Sequence, residues 1–168
     1  MGCIDPLRKT SGEILMNTEL KKAAERLQNN IDSVPGRFLK YSEEELSKKP
    51  APNKWSKKEI LGHLIDSAAN NHHRFVKSQF DGDPFFVNSY SQDDWVNTQR
   101  YNEIDSKFLA ELWKMYNMHL HWLMVNFPED KLKVKCKAED ATELKENILL
   151  LIKDYVDHMN HHLEQIFN

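Results

Sequence analysis

The chain has 168 residues, and its 23 Lys and Arg against 26 Asp and Glu give a formal charge of −3. This length suits one domain with its own core, and the slightly acidic balance argues against nucleic acid as the main partner, because phosphate-binding domains are usually clearly basic. No run approaches the roughly 18 apolar residues of a transmembrane helix, so no membrane association is predicted. With only two cysteines, Cys3 and Cys136, we expect a reducing, cytoplasmic setting.

The scarcity of turn residues favours long helices over a sheet-rich fold. There are only 5 Gly and 6 Pro in the chain, fewer than all-β folds need for their turns. Residues 1–15 lack helical periodicity and are predicted to form a poorly ordered extension. The domain itself is predicted to span residues 16–168.

Four long helices are predicted from apolar periodicity and from capping residues. Their predicted starts are Thr18, Ser56, Asp105 and Thr142, and their predicted ends are Pro35–Gly36, about Phe80, Phe127 and the C-terminus. Ser56 with Glu59 and Ser42 with Glu45 have the spacing of capping boxes, and the second pair predicts a short extra helix. On the third long helix, the apolar stripe is predicted to include Phe108 and Leu112.

Two segments between the helices do not follow a helical period. Residues 85–103 are rich in aromatic side chains and predict a long ordered crossover, with a helical turn near 92–99. Residues 131–137 alternate charged and apolar side chains, as a strand would, but they are too short and isolated to predict a sheet. The pattern as a whole predicts an all-α four-helix bundle with one short connection and one long crossover.

Histidines on the last helix point to a metal site. His158 and His162 are four residues apart and lie on or beside the apolar stripe, so both imidazoles can reach one ion. Two imidazoles in a core are costly polar groups unless they are paired, and a metal ion binds their neutral form. Hydrogen bonds to Tyr or Trp in the core are the alternative. His161 falls on a more polar face.

A third ligand must come from another helix, and the spacing leaves two candidates. His63 lies in the first turns of the second long helix, beside its core face. His119 lies beside Tyr116 and Leu123 on the third long helix. The residues alone do not separate His63 from His119.

Two segments resemble signatures of the DinB-like (YfiT-like) metal-binding four-helix proteins. They are WSKKEILGHLIDS at 55–67 and HMNHHLEQI at 158–166, and the resemblance extends over residues 17–168. It implies a bundle of up-down-down-up type that carries a divalent ion, zinc or nickel, on His63, His158 and His162. His63 would then meet the end of the last helix, which requires those two helices to be antiparallel.

The resemblance also implies a catalytic use of this ion. Three protein ligands leave a coordination position for water or substrate, whereas structural zinc sites are closed by four. The family is described as metal-dependent hydrolases, and several members are thiol S-transferases or isomerases that use a low-molecular-weight thiol. Asp66, Asn70 and Arg74 lie near His63 and are candidates for orienting water or binding an anionic substrate. The alternative is that Asp66 and Arg74 are ordinary charges on the helix surface.

Three classes of function therefore remain open. The first is an enzyme that acts on a small molecule, by hydrolysis or by transfer to a thiol cosubstrate. The second is a non-catalytic module that binds a metal or a small ligand, and the third is a helical dimer with structural histidines. No carboxylate is placed like the Glu of an H-E-x-x-H motif. The aromatic residues at 85–95 predict a homodimer, and related bundles often form two-fold dimers.

Overall fold

The computed structural model describes residues 17–138 and 146–168. The predicted extension at 1–15 and the predicted helix start at Thr142 lie outside these ranges. The helices are α1 (Thr18–Phe38), α2 (Glu43–Ser47), α3 (Lys57–Lys77), α4 (Gln92–Gln99), α5 (Ser106–Val125) and α6 (Ile148–Phe167). The strands are β1 (Phe85–Val87), β2 (Lys135–Ala138) and β3 (Glu146–Asn147). None of the described helices is long and apolar enough to cross a membrane.

The four long helices form the predicted bundle. Helices α1 and α3 each pack against both α5 and α6, so α1 and α3 lie diagonally across the core. Contacts fix the directions. The Nζ of Lys153 lies 2.9 Å from an Oε of Glu19 and the Nδ2 of Asn30 lies 2.8 Å from the Oδ1 of Asn160, so α1 and α6 are parallel.

The remaining helix pairs complete the topology. His72 contacts His119, and the start of α3 lies beside the start of α5 through Lys58, whose Nζ donates to the carbonyl of Asn102, so α3 and α5 are parallel. The beginning of α3 meets the end of α6, which makes that pair antiparallel as predicted. The order is therefore up-down-down-up, with the crossover between α3 and α5.

Capping accounts for the beginnings of α2 and α3. Ser42 and Ser56 each accept from the backbone N–H three residues on, and Glu45 and Glu59 each bond back to the backbone N–H of the capping serine. Both predicted capping boxes are present. Ser56 and Glu59 are also buried, so the start of α3 is held firmly within the bundle.

The end of α1 departs from the prediction. The helix continues through Pro35 and Gly36 to Phe38, so the predicted end at Pro35–Gly36 was wrong. Pro35 removes one backbone donor near the end of the helix, but its carbonyl still accepts from Leu39 N at 3.1 Å. Phe38 is fully buried, and its packing favours the extra turn.

The alternating segment at 131–137 does contribute to a sheet, contrary to the prediction. Strand β2 pairs in parallel with β1, with Cys136 opposite Phe85, and antiparallel with β3. Phe85 and Cys136 are both buried. The partner strand β1 lies some fifty residues earlier in the chain, so the alternation could not reveal it.

Two further details of the helices were predicted wrongly. Helix α6 begins at Ile148, and the predicted helical course through Glu146 and Asn147 was wrong, because these two residues pair with β2 and the Oδ1 of Asn147 accepts from Leu150 N. The apolar stripe of α5 is narrower than predicted, since Phe108 and Leu112 are exposed. These residues follow the helical period but face away from the bundle.

Gly62 allows the crossover to lie directly on α3. A Cβ at this position would overlap the ring of Tyr101, which is itself buried. We expect Gly62→Ala to lower the free energy of unfolding by about 1–3 kcal/mol through overpacking. Gly36→Ala is the matched control: nothing lies within 4 Å of its Cβ position, so it should stabilise α1 by up to about 1 kcal/mol. Urea unfolding of both variants is the measurement, and equal effects would contradict this account of Gly62.

Candidate metal centre

Three imidazoles converge where α3 and α6 meet. His63 comes from the second turn of α3, and His158 and His162 come from successive turns near the end of α6. The Nε2 atom of His158 lies 3.3 Å from Nε2 of His63 and 3.1 Å from Nε2 of His162. One ligand atom from each histidine lies within 4.8 Å of the other two. The structure therefore brings all three predicted residues together and leaves out His119 and His161.

The donor set and its spacing fit a divalent ion. In a tetrahedral site with Zn–N bonds of about 2.0–2.1 Å, two ligand nitrogens are separated by roughly 3.3 Å. The measured Nε2 separations of 3.1 and 3.3 Å are close to that value. His63 is fully buried and the other two are half-buried. Neutral imidazoles crowded in this way, with their lone pairs available, suit an ion that binds nitrogen ligands.

Gln165 and Trp55 surround these rings and set their orientation. The Oε1 of Gln165 lies 3.0 Å from Nδ1 of His162, which leaves Nε2 of that ring directed at the cluster. The Nε2 of Gln165 lies 3.0 Å from Nε2 of His161, which turns His161 outward. Trp55 packs against His63 at 4.9 Å between ring centroids and against His162 at 6.3 Å. Outer contacts of this kind fix the rotamers of metal ligands.

The second nitrogen of His63 is unusual for a metal ligand. Ligating histidines generally donate this N–H to a carbonyl or carboxylate. Nδ1 of His63 is buried and has no hydrogen-bond partner among the described residues. The orientation of His63 is therefore set by packing beneath Trp55 and by the capped start of α3.

Burial also keeps the cluster neutral. Burial, together with the charges of His162 and His158, lowers the pKa of His63 to about 3. Burial, followed by the charges of His162 and His161, lowers the pKa of His158 to about 4. Burial lowers the pKa of His162 as well. Below neutral pH these imidazoles therefore remain unprotonated and can still bind a metal ion. A solvated histidine would already be protonated at the same pH.

The lowered pKa values predict acid-sensitive stability in the metal-free protein. Between the ordinary histidine pKa of 6.5 and the folded values of about 3 and 4, the unfolded chain binds more protons, so stability falls as pH falls. We expect a loss on the order of a few kcal/mol from pH 7 to pH 4. His63→Leu removes one titrating group, so urea unfolding of this variant should show a smaller loss. An equal loss in both proteins would contradict the lowered pKa of His63.

The other candidate ligand belongs to a separate pair. Nε2 of His119 lies 3.3 Å from Nε2 of His72, across the contact between α5 and α3. His119 is exposed, and His72 also packs edge-on against Tyr116. Within the described ranges, no third His, Cys, Asp or Glu joins these two imidazoles. In the structure His63, and not His119, lies with His158 and His162. The residue spacing alone had left this choice open.

The three predicted polar neighbours have different surroundings. Asp66 is buried, and one of its oxygens accepts from Tyr101 Oη and from Gln99 Nε2, both at 2.6 Å. Its bonds tie the crossover to α3, and burial raises the pKa of its carboxyl despite them. The side-chain amide of Asn70 donates to the carbonyl of Asp66 at 2.9 Å, so this hydrogen bond lies within α3. Arg74 is the one of the three predicted candidates that lines a cavity.

A cavity of about 290 Å³ reaches the cluster at His158. We call it the His158 cavity; its walls include Ser67, Asn71, Arg74, Tyr90, Asp154 and Tyr155. Tyr90 comes from the crossover, which therefore forms one wall of this cavity. A larger cavity of about 750 Å³ lies on the side of Trp55 and Gln165. None of the three histidines lines it, whereas His158 lines the smaller cavity.

Some of these residues were absent from the sequence-based site. Gln165 follows His162 by three residues, a spacing that places both on one helical face, so it could have been identified from the sequence. Asn71 is adjacent to the predicted Asn70, and the helix rotation between them decides which one faces the cavity. Asp154 and Tyr90 carry no local signal, because their place depends on how α6 and the crossover pack against α3.

Comparisons with known proteins agree with this architecture. The sequence profile of the DinB superfamily matches residues 20–166. The chain is similar to YfiT from Bacillus subtilis, described as a probable metal-dependent hydrolase with an unusual four-helix bundle topology. The TM-score is 0.78 at 18% identity, over 99% of this chain and 91% of that one.

A second solved structure shares the fold more distantly. It is a mycothiol-dependent maleylpyruvate isomerase, with a TM-score of 0.65 at 9% identity, over 86% of this chain and 59% of that one. At such identities the likeness shows the fold alone. No curated protein matches the sequence significantly.

Proposed function

The chain belongs to the DinB superfamily, and on that premise we propose that it is a metal-dependent hydrolase of small molecules. His63, His158 and His162 would hold one divalent ion, zinc or nickel. The observation that carries the proposal is the convergence of three imidazoles beside a cavity that reaches one of them. In the part of the chain that the structure describes, no fourth His, Cys, Asp or Glu joins this cluster. Three ligands with an open side are typical of catalytic rather than structural sites.

The residues around the cluster have definable roles. An ion held by His63, His158 and His162 would supply Lewis acidity to a substrate carbonyl and to a water or thiol. Gln165 holds the ring of His162, and Trp55 covers His63 and His162 and excludes solvent from one side. Asn71 and Tyr90 line the His158 cavity with neutral polar groups, and Nδ2 of Asn71 also donates to the carbonyl of Ser67 at 2.9 Å.

Thiol transfer is the second candidate activity. It is supported by the fold shared with a protein described as a mycothiol-dependent isomerase. The same open site could bind a low-molecular-weight thiol in place of water. In this alternative the electrophilic substrate would occupy the remaining part of the His158 cavity.

A paired activity screen tests both candidates. Zinc-loaded, nickel-loaded and metal-stripped protein are compared on activated esters and amides, and on electrophiles with and without a thiol. The proposal expects turnover that is lost on stripping, restored by the metal, and absent in His162→Ala. Turnover only with thiol present would favour the transferase over the hydrolase. Metal uptake without any turnover would favour a binding module, and turnover unchanged in His162→Ala would contradict the proposed site.

The proposal also includes a homodimer and a cytoplasmic location. A homodimer is supported by exposed apolar side chains on the crossover and on the outer face of α5: Phe86, Trp95, Phe108, Met115 and Trp122 are each at least 38% exposed. Sedimentation at micromolar concentration should give a dimer, and a clean monomer would contradict it. A cytoplasmic location is supported by the low cysteine content.

A further inference from the structure

Arg74 reaches the His158 cavity as an arginine without an acidic partner. One nitrogen of its guanidinium, Nη2, donates to the carbonyl of Asn88 at 2.7 Å. Among the described residues no ion pair involves this side chain. A guanidinium carries five N–H donors in a fixed planar fork. A half-buried arginine that uses one donor therefore has donors left for a ligand.

The charges around this cavity suit a single negative charge. Arg74 is the cation in its wall and Asp154 is the carboxylate. The other polar side chains are uncharged, among them Ser67, Asn71 and Tyr90. A carboxylate carries one charge, and its two oxygens match the guanidinium fork.

The dimensions of the cavity limit the size of the ligand. A volume of about 290 Å³ corresponds to roughly ten water molecules at about 30 Å³ each. Leu151 and the ring of Tyr155 supply apolar surface in the wall of the cavity. The hydroxyl of Tyr155 already donates to Asn117 Oδ1, so this ring acts as a surface for packing. A small organic acid fits within these limits.

We propose that the His158 cavity binds a small carboxylic acid, with the carboxylate paired to Arg74 and the reacting group toward His158. This inference rests on the proposed function for the reacting end and names its substrate class. The carboxylate end depends on Arg74 alone. Asp154 opposes the ligand charge at the same cavity, which disfavours more highly charged ligands.

Mercaptocarboxylates report on both ends at once. The probes are the acids from 3-mercaptopropionate to 6-mercaptohexanoate, each beside its neutral primary amide, and the protein is loaded with cobalt(II). Coordination of the thiolate gives a charge-transfer absorption band, from which the dissociation constant is obtained. For the acid of best-fitting length, we expect binding about 10- to 100-fold tighter than for its amide, the range of a charge-assisted hydrogen bond.

Variants identify the residue that is responsible. Arg74→Gln should bind acid and amide equally, and Arg74→Lys should retain part of the preference. Asp154→Asn should increase the preference, because the opposing charge is removed. Cobalt content and melting temperature should be unchanged in the Arg74 variants, which excludes loss of the site or of the fold. A preference for the acid that persists in Arg74→Gln would overturn the inference.

A separate arm distinguishes this inference from the proposed function. Metal-free protein is titrated with the same acids and followed by chemical-shift changes in the amide spectrum. If cobalt does not bind, the metal proposal fails, while binding of the acids that is lost in Arg74→Gln upholds the carboxylate site. If cobalt binds but acids and amides bind alike in the wild-type protein, the carboxylate site fails and the metal proposal stands.

Discussion

Replacing His162 with alanine should remove high-affinity metal binding. The substitution removes one of the three converging nitrogens, and it also removes the imidazole that Gln165 orients through Nδ1 of His162. Loss of an outer partner alone typically weakens metal binding roughly 10–100-fold, so loss of a ligand should exceed about 100-fold. Competition with a chromophoric chelator gives the affinity, and elemental analysis gives the stoichiometry of the purified protein.

Two neighbouring histidines provide matched controls. His161→Ala removes an imidazole next in sequence that contacts Gln165 from the other side. His119→Ala removes one member of the separate pair with His72. Both variants should keep one tightly bound ion per chain. Full metal retention in His162→Ala, with loss in either control, would show that other imidazoles hold the ion.

Removing the metal should lower the melting temperature without unfolding the protein. An ion that binds only the native arrangement stabilises it by about 4 kcal/mol when its concentration is a thousand times the dissociation constant. For a chain of this size each kcal/mol corresponds to roughly 2–4 °C, so a chelator should lower the melting temperature by about 8–16 °C. The measurement is thermal unfolding followed by circular dichroism, with and without chelator.

The bundle should survive this treatment because its core does not depend on the cluster. Trp113, Leu64 and Ile152 are fully buried along the length of the helices. In His162→Ala the chelator should have no effect on the melting temperature. Complete loss of helical signal at 25 °C in the chelated wild-type protein would contradict an independent core. An equal shift in His162→Ala would mean that the chelator acts elsewhere.

Local patterns predicted the helices and two of the three histidines in the cluster. The pair His158 and His162 could be predicted because residues four apart share a helical face, and the boxes at Ser42 and Ser56 because each is complete within four residues. The choice of His63 over His119 required the packing of α3 against α6. Spacing does not contain that information, and here the resemblance to a known family supplied it.

The wrong predictions share a physical cause. Pro35 was expected to end α1 by its local chemistry, but the burial of Phe38 extended the helix. Strand β2 was dismissed because its partner β1 is remote in sequence. At Pro35 a tertiary contact overrode a local preference, and at β2 a tertiary contact supplied the partner strand that the local alternation lacked. The cavity wall formed by Tyr90 and Asp154 is of the same kind, since it exists only after the crossover and α6 have packed against α3.

The most direct test of the three-histidine centre is a crystal structure of metal-loaded protein with anomalous diffraction measured at the absorption edge of the bound metal. We predict one anomalous peak between the Nε2 atoms of His63, His158 and His162, about 2.0–2.1 Å from each if the metal is zinc. The fourth position should be open toward the His158 cavity. A peak at His72 and His119 instead, or a fourth protein side chain closing the coordination sphere, would contradict a catalytic metal centre at this site.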